Sequence, residues 1–333
     1  MDRTLHVAVI GASGMGRSHM QAVRAHEHAV LDAICDIDLS RANEAAQEAG
    51  GPAVYADYRE MLDRERLDAV VIVTPDQLHR EMAEYALSKG LDVLCEKPMT
   101  LTLEDCRSMV RAADASGKQL MVGQIGRYTP GFLKARELIE QGEIGELFFV
   151  ESEYAHNYEN VRGVNDWRVD PLRHGFLGGG CHAVDLLRWI AGNPVEVMAY
   201  SNHKNLLDWP TDDTLISILR FPNDVLGKVF VSTGCRREYT MRSVFYGTKG
   251  TIITDNTHPS LTLFQGAAFT EPLAVPVNLA SHNTLQEFRV FADALLAGEP
   301  VPTDAREGAR TVSACLACIE AARTGRAVAP EVF

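Results

Sequence analysis

The chain has 333 residues, 46% hydrophobic and 23% charged, with a formal net charge of −13. At roughly 100–200 residues per domain, that length predicts two domains with ordinary cores. The acid excess argues against nucleic acid or an anionic membrane as partner, because both require a basic face. No apolar run approaches the roughly 20 residues of a membrane span, and the N-terminus lacks the organisation of a signal peptide. Seven scattered cysteines, an odd count, fit a reducing cytoplasm better than a disulfide framework.

The first third alternates strand and helix signals. Leu5–Ile10 is a short apolar run of the kind a buried parallel strand shows. Residues 15–25 predict a helix, 29–35 a strand and 40–49 a helix. Residues 69–74 (Ala-Val-Val-Ile-Val-Thr) form the clearest buried strand. A helix over 77–89 stops at Gly90, a strand covers 91–95, a helix over 103–116 stops at Gly117, and 119–123 is a further strand. This β-α-β-α rhythm predicts a doubly wound parallel sheet over residues 1–124.

The rhythm then changes. One helix is predicted at 132–139, followed by strand-like runs at 146–154, 195–202, 213–221, 225–233, 243–248 and 251–255. Turn residues such as Pro222-Asn223-Asp224 join several of them, which predicts a mainly antiparallel sheet within residues 125–333. Helices at 285–296 and 305–324 close the chain. The second carries Cys315 and Cys318, a C-x-x-C without a second pair at zinc spacing, read as buried helical thiols.

Gly11-Ala12-Ser13-Gly14-Met15-Gly16 follows the first strand and opens a helix. A dinucleotide site needs a tight turn, close backbone approach to the diphosphate and a helix N-terminus aimed at it. Gly11 and Gly16 take the first and third glycine positions, while Ser13, with Gly14 beside it, takes the second. Asp36 ends the second strand 20 residues after Gly16. Its carboxylate suits the ribose hydroxyls and repels a 2′-phosphate, and Ile37 after it offers that phosphate no partner. The cofactor expected is therefore NAD.

Further along come Cys35-Asp36-Ile37-Asp38, Thr74-Pro75-Asp76-Gln77-Leu78-His79, Glu96-Lys97-Pro98, Arg127-Tyr128, Trp167-Arg168, the run from Gly180 to Trp189, and Tyr246-Gly247-Thr248-Lys249-Gly250-Thr251. In this order and spacing, with Gly11–His19 before them, they resemble the glucose–fructose oxidoreductase / inositol dehydrogenase / rhizopine-catabolism family, Gfo/Idh/MocA, over nearly the whole chain. The resemblance implies an N-terminal Rossmann domain, a C-terminal α/β domain with a large open sheet, a site in the cleft between domains, and dimers or tetramers that pair through the open sheet. It also implies a cis Lys97–Pro98 bond. The cofactor contacts it suggests come from Gly11, Ser13, Gly14, Met15, Gly16, Asp36, Ile37, Thr74, Pro75, Asp76, His79, Glu96, Lys97 and Gln124.

Removing hydride from a secondary alcohol requires a base for the hydroxyl proton. By resemblance Lys97 contacts substrate and cofactor, where a cationic amine stabilises a developing alkoxide. His182 follows three glycines at the start of a helix, whose positive end favours a neutral imidazole. By resemblance it is the proton acceptor. Asp185, three residues on, either orients that ring or pairs with Arg188. Many family members carry an Asp four residues before this histidine; here that position is Gly178. Tyr154, His156 and Tyr158 alternate at a strand end and offer hydroxyl-binding groups. Trp167 and Arg168 are candidates to close over substrate. His156, His174 and His182 lack tight ligand spacing, and no metal is expected. Three functions compete: a sugar or cyclitol dehydrogenase, a glycoside hydrolase that uses bound NAD as a recycled redox catalyst, and a nucleotide sensor without turnover.

Overall fold

The computed structural model describes residues 3–266, 271–278 and 282–333. It divides into two compact units, Met1–Gln124 with Asn283–Ala309 and Ile125–His282 with Arg310–Phe333. In the first unit, strands β1 (Leu5–Ile10), β2 (Ala29–Cys35), β3 (Ala53–Tyr55), β4 (Ala69–Ile72), β5 (Asp92–Glu96) and β6 (Leu120–Gly123) form one parallel sheet in the order β3-β2-β1-β4-β5-β6. Helices α1 (Gly14–Ala25), α2 (Leu39–Glu48), α3 (Tyr58–Arg64), α4 (His79–Ser88) and α5 (Leu103–Ser116) link the strands. The central strands are apolar at consecutive positions, and all four residues of β4 are fully buried. A parallel strand is covered on both faces and so cannot alternate.

Helix boundaries follow local chemistry. Asp38 caps α2 by accepting from Ser40 and Arg41 N–H, Asp57 caps α3, and Thr102 caps α5. Gly117 ends α5 at φ 65°, a conformation glycine adopts freely. The short pair β3 and α3 carries too little periodic signal to be predicted from sequence.

In the second unit, β7 (Leu147–Ala155), β8 (Glu196–Asn202), β9 (Thr214–Arg220), β10 (Leu226–Ser232), β11 (Thr240–Gly247), β12 (Gly250–Asp255), β13 (Ser260–Gln265) and β14 (Leu273–Pro276) form one sheet in the order β14-β13-β12-β11-β7-β10-β9-β8. Every neighbouring pair is antiparallel except β7 with β10. The mainly antiparallel sheet is thus as expected, extended by β13 and β14. The helices here are α6 (Pro130–Glu140), α7 (Gly175–Gly178) and α8 (Cys181–Ala191), and α8 packs on β7 and β10. Alternation along β9 shows the two faces: Leu215, Ser217 and Leu219 are buried, whereas Ile216 and Ile218 are exposed. Tyr200 pairs with Ile216 across β8 and is exposed too, so one face presents apolar side chains outward.

The chain ends with α9 (Thr284–Ala297) and α10 (Ala305–Thr324). A single boundary at residue 124 would place α9 in the second domain. It lies instead with the first unit, where it packs against α1 with Phe288 and Phe291 fully buried. Val122 N–H donates to the Thr303 carbonyl just beyond it, extending the hydrogen bonding of the β6 edge. Cys315 and Cys318 are buried in α10; burial raises both thiols, that of Cys318 to about 12, so both stay neutral. Among the described residues no helix is long and apolar enough to cross a membrane.

Candidate active site

Because the first sheet is parallel, its strands deliver their following loops to one edge. Gly11–Gly16 follow β1, Asp36 follows β2, Thr74–Asp76 follow β4 and Lys97 follows β5. The sheet order reverses between β1 and β4, the place where open α/β sheets form a ligand crevice. Gly11 has φ +104°, and a Cβ on it would run into the Val73 carbonyl. A Cβ on Gly16 would strike the Gly11 carbonyl, so helix and strand can close up only with glycine there. Gly14 has no atom within 4 Å of its Cβ position, which leaves room for a ligand at the helix start. The first turn of α1 holds no acid, and Ser13 makes no side-chain cap. Ser13, Gly14 and Met15 are exposed. Uncapped N–H groups and the helix dipole fit the diphosphate of a dinucleotide.

The Asp36 carboxylate accepts from Ala12 N–H at 2.8 Å and Asp38 N–H at 2.9 Å. It also holds the Arg41 guanidinium through two bonds, at 3.1 and 3.0 Å. Arg41 was missed in the sequence because only position 37 was weighed as a phosphate partner; Ile37 itself is exposed. The first turn of α2 carries the arginine back over Asp36, a helical spacing that could have revealed it.

Several expected cofactor residues sit behind this edge. His79 is fully buried, with Nδ1 3.0 Å from the Pro98 carbonyl and Nε2 3.0 Å from the Thr74 carbonyl. It ties the loop after β4 to the bend after β5. Asp76, Glu96 and Gln124 are buried as well, while Thr74, Pro75 and Lys97 are intermediate or closer to the surface. Glu96 accepts the Lys97 N–H at 3.1 Å, and the Lys97–Pro98 peptide is cis, as expected.

In the second unit, His182 stands in the first turn of α8, only 3% exposed. Its ring stacks on Tyr154 at 5.9 Å with 24° between planes. Tyr154 hydroxyl meets Tyr158 hydroxyl at 3.0 Å and His156 Nδ1 at 3.1 Å, so the three alternating residues do converge. Burial, then Tyr158 and Tyr239, push the Tyr154 phenol well above its ordinary range and keep it neutral. Tyr239 and His282, missed in the sequence, join this cluster. Tyr239 packs on His156 at 4.7 Å and stacks on His282 at 5.8 Å, and His282 meets the His182 ring at 5.9 Å. They come from distant segments without a motif.

The glycine run before His182 is explained by crowding. A Cβ on Gly179 would stand 2.5 Å from both the Tyr154 ring and the Tyr158 hydroxyl, and one on Gly180 2.5 Å from the Phe176 carbonyl. A Cβ on Gly178 would meet the guanidinium of buried Arg173. Arg173 and Arg168 both lie over the Trp167 ring, at 4.7 and 4.6 Å. Asp185 is committed elsewhere: its oxygens take Arg127 Nε at 2.7 Å and Nη2 at 2.8 Å, with Thr311 hydroxyl at 2.8 Å and Arg188 at 3.5 Å. Of the two expectations for Asp185, the pairing with Arg188 is present, and with Arg127 and Thr311 it ties α8 to its surroundings. His174 accepts from Phe176 N–H at 3.0 Å, and burial lowers its pKa to about 4.

Residues 5–124 match the model of an oxidoreductase family with an NAD-binding Rossmann fold, and residues 132–253 match the Gfo/Idh/MocA C-terminal domain. An inositol 2-dehydrogenase of Saccharopolyspora erythraea is 29% identical over 99% of this chain and 96% of its own. A D-xylose 1-dehydrogenase (NADP(+)) of Haloferax volcanii is 28% identical over 96% and 98%. Among solved structures, levoglucosan dehydrogenase in complex with NADH matches with a TM-score of 0.90 over 99% of this chain and all of its own, at 24% identity, a likeness of fold.

Proposed function

This chain belongs to the Gfo/Idh/MocA oxidoreductase family, and on that premise we propose that it oxidises a secondary alcohol carbon of a sugar, sugar derivative or cyclitol with NAD. The observation that carries the reading is the His182 imidazole stacked on Tyr154 amid hydroxyl and ring groups from Tyr158, His156 and Tyr239. Such a lining suits a polyhydroxylated ring, offering donors and acceptors for hydroxyls and aromatic faces for C–H surfaces. The named inositol and xylose dehydrogenase relatives support the same substrate class.

The nicotinamide ring, when bound, supplies the hydride acceptor. In this reading Gly11, Ser13, Gly14, Met15 and Gly16 hold the diphosphate and Asp36 the adenosine ribose. Neutral His182 takes the hydroxyl proton, and the Lys97 ammonium stabilises the developing alkoxide. Tyr154 fixes the imidazole plane, and His156 with Tyr158 selects hydroxyl geometry. Trp167 and Arg168 lie at the loop that would cover the substrate. The relatives' names lend no support to the glycoside hydrolase reading. The exposed apolar face with Tyr200, Ile216 and Ile218 fits pairing of two copies. Seven cysteines that stand as thiols rather than disulfides fit a reducing cytoplasm.

The test is NADH formation, followed by nicotinamide absorbance, across a panel of free sugars, cyclitols and sugar acids. Net NADH with at least one is expected. NAD-requiring glycoside cleavage without net NADH would overturn the proposal.

A further inference from the structure

Inside the first unit, His19 on α1, Glu96 at the end of β5 and Glu287 on α9 converge, one ligand atom from each lying within 4.8 Å of the others. Their exposures are 0%, 7% and 0%. His19 Nε2 lies 2.9 Å from Glu96 Oε1, and Glu96 Oε2 accepts the Lys97 N–H at 3.1 Å. Among the described residues neither oxygen of Glu287 has a hydrogen-bond donor, although the residue is wholly buried. A Cβ on Gly123 would stand 3.5 Å from Glu287 Oε1 and 3.5 Å from Glu96 Cα. Glu287 therefore lies against the strand end that presents Lys97.

Two carboxylates in one buried space cannot both stay ionised when only one has donors. Burial works against the charge of Glu96, but the bond and charge of His19, with help from Lys97, hold its pKa below the usual carboxylate value. Burial and then the charge of Glu96 push the Glu287 pKa well above its usual value, and Lys97 only partly opposes them.

We propose that Glu287 is a neutral, protonated carboxylic acid at neutral pH, sharing its proton within the His19–Glu96–Glu287 cluster and thereby positioning Glu96 and the Lys97 backbone. The protonation stands independently of the reaction; only the consequence for Lys97 rests on the function proposed above. A neutral acid can donate to a Glu96 oxygen, which an ionised one cannot. Glu96, held by His19 on one side and Glu287 on the other, then fixes the Lys97 N–H without a second negative charge beside the lysine ammonium.

Glu287→Gln tests this, because it keeps shape and donor capacity while removing the titration. A carboxyl whose folded pKa exceeds its unfolded value of about 4.3 costs stability progressively as pH rises toward the folded pKa. The unfolding midpoint of Glu287→Gln should therefore gain on the wild type as pH rises above about 5. Infrared spectra of the wild type should show a neutral-carboxyl carbonyl band that Glu287→Gln lacks. In the kinetic arm, Glu287→Gln should retain turnover that Glu287→Ala loses, with the loss in kcat rather than KM. A gap that shifts the opposite way with pH, or an absent band, would overturn the proposal. So would an equimolar divalent cation held by the purified wild type and lost in Glu287→Gln, since the cluster would then be a metal site. Stability and infrared arms remain readable if no alcohol is oxidised, so failure of the functional reading is distinguishable.

Discussion

Arg173 fills the place that a side chain on Gly178 would need: a Cβ there would stand 2.5 Å from Arg173 Cζ and 2.7 Å from Nη2. Residue 178 lies four positions before His182, where a carboxylate would stabilise an imidazolium, and a guanidinium has the opposite sign. Gly178→Asp alone should leave its carboxylate neutralised against Arg173, with the basic limb of alcohol oxidation nearly unmoved. Gly178→Asp with Arg173→Ala should raise that limb by about one pH unit. The kcat/KM profile against pH measures both, and a limb unmoved in the double variant would mean that His182 does not set it.

Asp185 belongs to the framework. Its pairing with Arg127 is buried, the two residues being 2% and 6% exposed. Asp185→Asn leaves a buried guanidinium short of its counter-charge, which should cost about 3–5 kcal/mol. Urea unfolding should show the loss, while the pH limb of the folded fraction stays in place. A shifted limb at unchanged stability would restore the orienting role.

Lys97 and His182 should separate kinetically. Lys97→Ala should lower kcat and kcat/KM together while NAD still binds, as when a contact made only in the transition state is removed. His182→Ala should cut kcat/KM by roughly 10²–10⁴-fold and abolish the pH limb. Retention of both rate and limb in His182→Ala would move the base to another residue, with Tyr154 and His156 next in line.

Asp36 and Arg41 together are expected to set the cofactor preference. The wild type should prefer NAD, since Asp36 engages Arg41 and would repel a 2′-phosphate. Asp36→Ala releases that guanidinium and should shift the kcat/KM ratio toward NADP by about tenfold or more. An unchanged ratio would show that neither residue reaches the ribose.

On the second sheet, Ile216 and Ile218 are 42% and 57% exposed beside Tyr200 at 69%. Replacing both isoleucines with lysine should convert an oligomer to monomer in light scattering without lowering far-ultraviolet strand content. An unchanged mass would place any interface elsewhere.

Local physics made much of this protein legible in its sequence. A strand covered on both faces is an unbroken apolar run, a glycine at positive φ leaves its mark in the turn, and a cap lies within three residues of the helix it starts. Those signals identified the parallel sheet, the Gly11–Gly16 turn into α1 and the strand end bearing Lys97. The sheet of the second unit was visible through strand-like runs joined by turn residues, but β13 and β14 were not. Tertiary structure alone decided which charges meet. Asp185 takes two short bonds from Arg127, 58 residues away, and only a longer one from Arg188 on its own helix. Tyr239 and His282 reached the His182 cluster from separate segments, and α9 returned to the first unit and brought Glu287 to Glu96. Periodicity reports which face of an element is buried; it is silent on what lies across the contact, because partner choice depends on desolvation and donor geometry supplied by residues far along the chain.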